Sequence, residues 1–554
     1  MLKIQNSLIE LGRGERTGPA LAFLVSLFIY CINLGRPPHP DELHHVLAAQ
    51  TLFETGLPQI LDGEYWRVVH YTWLVALSYE LFGESLASAR FPSVLLVSLV
   101  SPILLVWVRR EAGMIAAWLT VAIFVSSPFA IEIAQFCRFY SLQVLSLVIG
   151  LAFLFYATVS TRPFLLRATL LLSSLGMLAL AVSAQVTTIV GLVGVSVWLA
   201  GWITFKILAL PSSRMGVKVA FAVGSLTVAI ALVLAGMNSE LVAWAWQRHQ
   251  VAPLFNLQHQ NEYWFYYLRY FAFYPTLWTL IGLIAFAAIV RGRSLSWLAI
   301  CVFASAFLIM SLAGSKNTRY VSFAMPFLAM VWGIGLAVVW PMFRQLIDQL
   351  RQRLSDSSQM GARQSELLGG TVTFLAVAVL LGSNPFWLRS AAIVSDVALP
   401  FENPVTDWQE AQSVLEPLIE HAQIVVATEE LGAIYFLGRA DIIFNPSKQR
   451  ELAIDERVEF GADYRTGLPT IANPESLRQV MTCFQSGIVV GPQQNWGDPV
   501  RFNSHAVSVV SELAVPVEVP QSSHLFAWRW QNTQADPKSE ICGDLPLVSR
   551  LIQG

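Results

Sequence analysis

The sequence predicts a polytopic α-helical membrane protein with about 11 transmembrane helices, followed by a C-terminal extracytoplasmic α/β domain. Of its 554 residues, 55% are hydrophobic and only 13% are charged, whereas soluble domains contain about 25% charged residues. Charge is also distributed unevenly, with a balance of +8 over residues 1–385 and −10 over residues 386–554. We therefore expect a transmembrane unit at 1–385 and an acidic soluble domain at 386–554.

The predicted transmembrane helices are apolar runs long enough to cross the hydrocarbon core, which takes about 20 residues. Such runs occur near 18–34, 92–108, 113–131, 142–160, 165–183, 186–206, 218–237, 265–290, 295–313, 320–341 and 368–385. The first run lacks a signal-peptide cleavage pattern, so we interpret it as an uncleaved span. The stretch 71–82 is shorter and more polar, which predicts a helix lying on the membrane interface or dipping into it.

Basic residues in the short loops predict the orientation in the cell membrane. If the N-terminus is cytoplasmic, every even-numbered span ends on a basic cluster, beginning with Arg109 and Arg110. Segment 343–366 then becomes a cytoplasmic connection, with a basic amphipathic stretch followed by a linker. The same orientation places the loops 35–90 and 238–262 and the C-terminal domain outside the cytoplasm.

The pattern changes beyond Pro400 to short alternating helices and strands. We predict helices at 407–420 and 475–484, and strands at 424–428, 440–444 and 487–491. This alternation is typical of an α/β layer with a partly parallel sheet. The region has no GxGxxG or P-loop motif, so nucleotide binding has no support. We also expect no nucleic-acid partner. Cys483 and Cys542 could pair in an oxidising compartment, although the sequence leaves this open.

The most informative segment is the first outer loop, in which Asp41, Glu42, His44 and His45 cluster at the start of a probable helix. Carboxylates at a helix N-terminus can serve simply as caps and dipole partners. Capping accounts for one acidic residue better than for the whole cluster. Since residues three or four apart share a helix face, Asp41 and the two histidines could instead form a base with an orienting partner, or a metal site.

Three cations lie at the outer ends of predicted spans, namely Arg138, Lys316 and Arg319. Each could simply extend to the membrane interface. Together they would place positive charge at the depth of a lipid headgroup phosphate, for which arginine is well suited. The aromatic segments 244–250 and 261–274 are interpreted either as an interfacial belt or as a groove for a polyprenyl chain or sugar rings.

These motifs resemble the GT-C superfamily of polytopic glycosyltransferases, in particular the bacterial protein O-mannosyltransferases and lipid A aminoarabinose transferases. The resemblance covers roughly residues 15–340 and depends on the order of four motifs: Asp41-Glu42, GESLASARFPS (83–93), RFYSLQVL (138–145) and KNTRYVSFAMP (316–326). One departure is the stretch 68–77, VVHYTWLVAL, where relatives often have a Lys-Pro-Pro-Leu-like motif. His70 or Tyr71 could substitute there, but no donor-contacting role transfers to them.

The resemblance implies inverting transfer of a sugar from a polyprenyl-phosphate donor to the hydroxyl of a protein, lipid or glycan at the outer membrane face. By this analogy, Asp41 is the general base and Glu42 positions either Asp41 or the acceptor. Donor-phosphate ligands would be Lys316, Arg319 and Arg138, in that order. Orienting or acceptor-binding roles fall to His44, His45, His70, Tyr71 and Tyr320. No cofactor or catalytic metal is expected, although the histidines leave a divalent metal open.

Three other functions stay open on the sequence. One is a metal-dependent oligosaccharyl- or arabinosyltransferase-like enzyme of the same superfamily. A second is a lipid or sugar transporter, which would normally place ionisable residues near mid-membrane and often in paired repeats. A third is an assembly protein with a partner-binding outer domain. The sugar, the acceptor and the oligomeric state are undetermined.

Overall fold

The computed structural model describes residues 17–211, 215–220, 223–224, 260–268, 275–291, 293–358, 371, 375, 385–395, 405–448, 459–533, 535 and 542. The predicted spans at 218–237 and 368–385 lie mainly outside these residues, as does the loop 238–262 with its aromatic segment 244–250. Part of the second aromatic segment, 269–274, also lies outside them.

The described part of the membrane unit is helical apart from one small hairpin. Its elements are α1 Thr17–Tyr30, α2 Pro40–Thr55, β1 Gln59–Ile60, β2 Gly63–Glu64, α3 Val69–Phe82, α4 Leu86–Ala112, α5 Met114–Val125, α6 Pro128–Ala134, α7 Tyr140–Val159, α8 Phe164–Ala184, α9 Thr188–Leu208, α10 Phe265–Tyr267, α11 Pro275–Val290, α12 Ser294–Ser311, a 3₁₀ turn Thr318–Ala324, α13 Met325–Ser358 and α14 Pro385–Ser395. Within these described residues, six helices are long and apolar enough to cross a membrane. The multi-pass architecture is confirmed, while the number eleven is not.

The predicted span over 113–131 is bent rather than straight. The chain forms two helices there, α5 and α6, which meet at an angle of 60°. Pro128 is the first residue of α6, a position where its missing N–H and fixed φ are well tolerated. The bend leads the chain into the turn that contains Arg138, so this break helps to place a candidate site residue.

The described residues of the C-terminal region form a seven-stranded sheet in the order β5-β6-β4-β3-β7-β9-β8. Its elements are α15 Trp408–His421, β3 Ile424–Ala427, α16 Glu430–Leu437, β4 Ile442–Phe444, β5 Gly461–Ala462, β6 Pro469–Ile471, α17 Pro474–Cys483, β7 Ser486–Pro492, a 3₁₀ turn Gln493–Asn495, α18 Ser504–Leu513, β8 Val515–Pro516, a 3₁₀ turn Gln521–Ser523 and β9 Leu525–Gln531. The four strands β6, β4, β3 and β7 are parallel. The predicted α/β layer with a partly parallel sheet is therefore confirmed.

Alternation along the central strand gives this domain two cores. Val425 and Ala427 of β3 pack into the cluster that includes α15 and α16, and that cluster continues into the membrane unit. Ile424 and Val426 pack into a second cluster with α17 and α18. Because successive strand residues point to opposite faces, one hydrophobic strand can support both layers. Cys483 and Cys542 form a disulfide beside the second core, with Cα atoms 5.8 Å apart.

The hairpin of the first outer loop docks directly on the C-terminal domain. Gly63 lies so close that an added Cβ would be 2.4 Å from the Arg465 carbonyl carbon. Nearby, the Glu64 N–H donates to the Tyr464 carbonyl oxygen at 3.3 Å, and α16 packs against α2. The outer loop therefore lies between the transmembrane helices and the sheet, in contact with both.

Candidate active site

The site begins at the N-terminus of α2, which a proline-rich turn sets in place. His39 precedes Pro40 in an extended conformation, with φ −72° and ψ 141°, as expected for a residue before proline. The Asp41 N–H donates to His39 Nδ1 at 3.1 Å, while the His39 N–H donates to Glu42 Oε1 at 2.9 Å. These bonds satisfy N–H groups that a helix start otherwise leaves unpaired. They also place the Asp41 carboxylate at the positive end of the helix dipole.

Two arginines that are distant in sequence converge on Asp41. The Arg319 Nη2 atom lies 3.1 Å from Asp41 Oδ2, and the Arg138 Nη2 atom lies 3.8 Å from Asp41 Oδ1. The Asp41 side chain nevertheless remains 39% exposed. A solvent-reachable carboxylate between two guanidinium groups can meet a ligand from the aqueous side.

Arg138 is held in the turn between α6 and α7. Its Nη1 atom donates to the Asp41 carbonyl oxygen at 2.7 Å and to the Tyr65 hydroxyl at 3.1 Å. The guanidinium also lies 5.0 Å from the centre of the Phe139 ring. Its Nε atom is buried without a hydrogen-bond partner among the described residues. Arg138 is thus fixed in place, with hydrogen-bonding capacity left over.

Arg319 reaches the site from the 3₁₀ turn that precedes α13. Its Nε atom donates to Asn317 Oδ1 at 3.2 Å, and its guanidinium lies 4.6 Å from the centre of the Phe136 ring. The Nη1 atom is buried and has no hydrogen-bond partner in the described part of the chain. Since a buried unpaired donor is costly, this atom indicates where an anionic ligand would bind.

The two arginines also control the basicity of Asp41. Burial alone would raise the pKa of its carboxyl group, but the positive charges of Arg138 and Arg319 outweigh burial and hold the pKa well below its ordinary value. The cause is the usual preference of a carboxylate near cations for the charged form. In this structure Asp41 is therefore ionised and a weak base.

Glu42 has a different environment from its neighbour, because its carboxylate is buried and fully engaged. Arg90 donates to both of its oxygens, from Nε and from Nη2, each at 2.8 Å. The Cys137 N–H adds a third bond at 2.9 Å, and the His39 N–H a fourth. This arrangement ties the start of α2 to α4 and to the turn before α7. Glu42 therefore fixes the helix start that carries Asp41.

Lys316 and Tyr320 have different contacts from Arg319. The Lys316 ammonium group is buried and donates to the carbonyl oxygens of Gln260 at 2.8 Å and Ala313 at 2.5 Å. Burial lowers the pKa of Lys316. Tyr320 is half-buried and packs at the edge of the core. The predicted order of phosphate ligands, with Lys316 first, stays a prediction.

The predicted histidine and tyrosine partners lie behind the site. His44 stacks on Tyr65 with ring centres 5.0 Å apart, while His45 Nδ1 lies 2.9 Å from Thr72 Oγ1. Tyr71 bonds to Ser93 at 2.6 Å and also packs against His45. Near them, the half-buried His70 begins the first turn of α3. The described residues contain no group of three or more His, Cys, Asp or Glu side chains that could hold a metal.

Sequence reasoning assigned no role to His39, Tyr65 or Arg90, all of which shape the site. His39 could have been found as the residue before Pro40 in a helix-capping position. Arg90 lies inside the motif GESLASARFPS, where a lone arginine entering an apolar helix signals a buried partner. For Tyr65 no such signal exists, because it contacts Arg138 only through the folding of the outer loop.

A cavity of about 550 Å³ lies beside these residues, and His39, Asn317 and Arg319 form part of its wall. The opposite wall belongs to the C-terminal domain and includes Trp408 and Glu429. The volume is in the range of small-molecule sites, about 300–1,000 Å³. A ligand in this cavity would therefore lie next to the arginine that contacts Asp41.

Comparison with known proteins relates this chain to membrane glycosyltransferases at the level of structure. No protein-family model and no curated protein matches the sequence. Among solved structures, ArnT from Cupriavidus metallidurans bound to undecaprenyl phosphate is similar with a TM-score of 0.55 and 14% identity, covering 94% of this chain and 100% of that one.

The Archaeoglobus fulgidus oligosaccharyltransferase tethered to an acceptor peptide is also similar. Its TM-score is 0.50 at 11% identity, covering 95% of this chain and 77% of that one. Both similarities include the transmembrane helices and the sheet-containing region. This protein is therefore a multi-pass membrane protein whose fold is similar to that of ArnT and of this oligosaccharyltransferase.

Proposed function

We propose that this protein is an inverting glycosyltransferase that moves a sugar from a polyprenyl-phosphate donor to an acceptor hydroxyl at the outer membrane face. The observation that supports it best is the partly exposed Asp41 carboxylate between Arg138 and Arg319. A base and a phosphate site are the two parts that such a transfer needs. The similar ArnT structure contains undecaprenyl phosphate, which supports a lipid-linked donor.

In this proposal the two arginines bind the donor phosphate. Arg319 Nη1 and Arg138 Nε are buried donors without partners among the described residues, and guanidinium groups suit phosphate oxygens. Negative charge grows on the phosphate as the sugar leaves. The arginines stabilise that charge without needing to reorganise, which is where fixed cations contribute most to a rate.

Asp41 accepts the acceptor proton in the transfer step. The acceptor oxygen forms a bond to the anomeric carbon while the bond from that carbon to the phosphate oxygen breaks. Attack from the opposite face inverts the anomeric centre. Polyprenyl phosphate departs with the electron pair, and the acceptor proton moves to the Asp41 carboxylate. No oxidant or further reactant is required.

Donor binding would also activate this base. In the structure Arg319 contacts Asp41 directly, at 3.1 Å, and the two arginines depress the pKa of Asp41. A donor phosphate bound beside Arg319 weakens this effect, because its negative charge offsets the positive charge of the fixed guanidinium. The pKa of Asp41 then rises toward the range in which a carboxylate is an effective base. Proton removal is thus coupled to the presence of donor.

We propose the orientation from the loop charges, with the N-terminus in the cytoplasm and the C-terminal domain outside. We also propose that residues 1–385 form the transferase unit and 386–554 the outer domain. Helix α14, which begins at that boundary, packs on the membrane unit through an Arg389–Glu132 ion pair of 3.0 Å. The outer domain is therefore expected to stay attached to the face on which Asp41 lies. Protease protection of terminal tags in sealed vesicles tests this orientation.

The test of the function is release of polyprenyl phosphate by the reconstituted protein. The full chain in liposomes is given labelled polyprenyl-phosphate sugars and a membrane extract of its own cell, and Asp41→Asn is compared with wild type. We expect the variant to lose about 10²- to 10⁴-fold in rate, the usual contribution of a general base. A matched control is Glu420→Gln, which removes an exposed carboxylate of α15, and it should retain wild-type activity.

Two outcomes would contradict the proposal. Folded wild type that releases no polyprenyl phosphate from any donor would exclude the transferase function. Asp41→Asn that releases it at the wild-type rate would exclude Asp41 as the base. Since the proposal assigns the phosphate to arginines, added chelator should leave the rate unchanged. A rate abolished by chelator and restored by a divalent metal would favour the metal-dependent enzyme instead.

A further inference from the structure

The C-terminal wall of the cavity is built from the carboxyl ends of the parallel strands. Thr428 directly follows β3, Asn445 directly follows β4, and Asn495 ends the 3₁₀ turn after β7. All three line the cavity. Polar side chains from three adjacent strands therefore face the same space as His39 and Arg319 on the membrane side.

This wall also lies at the switch point of the sheet. From β3 the chain moves to β4 on one side, whereas β7 pairs with β3 on the other side. In open α/β sheets, ligands bind outside the carboxyl ends of strands where the order reverses, because the loops diverge there and leave a crevice. The cavity occupies this position. The proposed base and phosphate site lie in the membrane unit, so the transfer step itself does not need a crevice in the sheet.

The polar groups of this wall are fixed in place by their neighbours. The buried Asn495 donates from Nδ2 to Thr428 Oγ1 at 3.2 Å, and Arg501 Nη1 donates to Asn495 Oδ1 at 2.7 Å. The Glu429 carboxylate accepts from the Trp408 indole N–H and from the Gly432 N–H, each at 3.1 Å. A guanidinium, amides, a hydroxyl, a carboxylate and an indole therefore converge on the cavity.

We propose that this wall is the acceptor subsite and that it binds a saccharide. Ring hydroxyls both donate and accept hydrogen bonds, so they match a wall that offers the Glu429 acceptor beside the Arg501 donor. An apolar lipid chain would offer no hydrogen bonds to the remaining donor and acceptor capacity of these groups. This inference rests on the proposed function, since it names the substrate that receives the sugar.

The same geometry disfavours a peptide acceptor at this wall. Extended peptides commonly bind by adding a strand to an exposed sheet edge. The edges of this sheet are β5 and β8, whereas the cavity lies at the central strands β4, β3 and β7. A compact ligand that inserts one or two rings fits this location better. A sugar held there would place the hydroxyl that faces the membrane unit near Arg319, and hence near Asp41.

The test separates acceptor binding from donor chemistry by measuring both on the full chain in detergent. Binding of a panel of mono- and disaccharides is followed by saturation-transfer NMR, without any donor present. Wild type should bind at least one sugar, and Arg501→Gln and Glu429→Gln should each weaken that binding about tenfold or more. Arg529→Gln, on the exposed face of β9, is the matched control and should bind as wild type does.

The second measurement is transfer to the sugar identified by NMR. Arg501→Gln should raise KM for that acceptor about tenfold or more, while kcat at saturating acceptor stays near the wild-type value. Donor binding, measured with labelled polyprenyl phosphate, should be unchanged. If wild type binds the sugars but releases no polyprenyl phosphate, the proposed function fails and the subsite stands. The subsite is overturned if wild type binds no sugar, or if both variants bind and transfer as wild type does.

Discussion

Replacing Arg90 by methionine removes the central buried link of the site while keeping a side chain of similar length. Arg90 is only 1% exposed, and its partner Glu42 only 3%. Besides its two bonds to Glu42, Arg90 Nη1 donates to the carbonyl oxygens of Leu34 at 2.7 Å and Arg36 at 2.8 Å. Arg90 Nη2 also donates to the Pro37 carbonyl oxygen at 3.4 Å. The change therefore leaves one buried carboxylate and three carbonyl groups short of donors.

The expected cost follows from that uncompensated charge. Removing one partner of a buried ion pair destabilises a protein by about 3–5 kcal/mol, because the remaining ion has lost water without keeping its partner. Part of the lost stability should be recovered when the charge of Glu42 is also removed. The double variant Arg90→Met/Glu42→Gln should therefore be about 1–3 kcal/mol more stable than Arg90→Met alone.

The assay is reversible unfolding in mixed detergent micelles, read from tryptophan fluorescence, for the two single variants and the double variant. Arg478→Met is the matched control, since Arg478 also grips a carboxylate with two bonds, to Glu512 at 3.0 and 2.7 Å. That pair lies at the exposed surface, so its loss should leave stability unchanged. Equal effects of Arg90→Met and Arg478→Met would refute the reasoning, as would a double variant less stable than Arg90→Met.

Two further predictions concern the outer domain. Gly63→Ala should weaken the docking of this domain on the hairpin by about 1–3 kcal/mol and increase hydrogen exchange around Arg465, because the new Cβ would meet rigid backbone at 2.4 Å. The control Gly35→Ala, whose Cβ would have nothing within 4 Å, should have no effect. Equal hydrogen exchange in both variants would contradict this prediction. Burial, together with the charge of Glu430, raises the pKa of Glu429 to about 7 in the folded protein. Because this pKa is higher than in the unfolded chain, the stability that Glu429 contributes is lost as the pH rises from about 4.5 through 7. Glu429→Gln should accordingly be more stable relative to wild type at pH 8 than at pH 5 in unfolding titrations, and a pH-independent difference would count against the shifted pKa.

Secondary-structure elements that depend on nearby residues could be predicted from the amino-acid sequence. Apolar runs of about 20 residues predicted helices such as α4 and α7, because burial in hydrocarbon depends on composition alone. Short apolar runs predicted β3, β4 and β7, since a strand buried on both faces is apolar at consecutive positions. The position of Asp41 at a helix start was also predictable, because proline and capping residues act within one turn.

The ion pairs of the site could be identified only from the three-dimensional fold. Arg90 pairs with Glu42 and Arg319 contacts Asp41, but the sequence around each arginine does not show which carboxylate it meets. Lys316, expected to bind phosphate, is held by backbone carbonyls instead. Ion pairs between distant segments depend on how helices pack and where a helix such as α5 breaks, and these arrangements are cooperative properties of the whole core. For the same reason, no local pattern could show that the carboxyl ends of the sheet face Arg319 across one cavity.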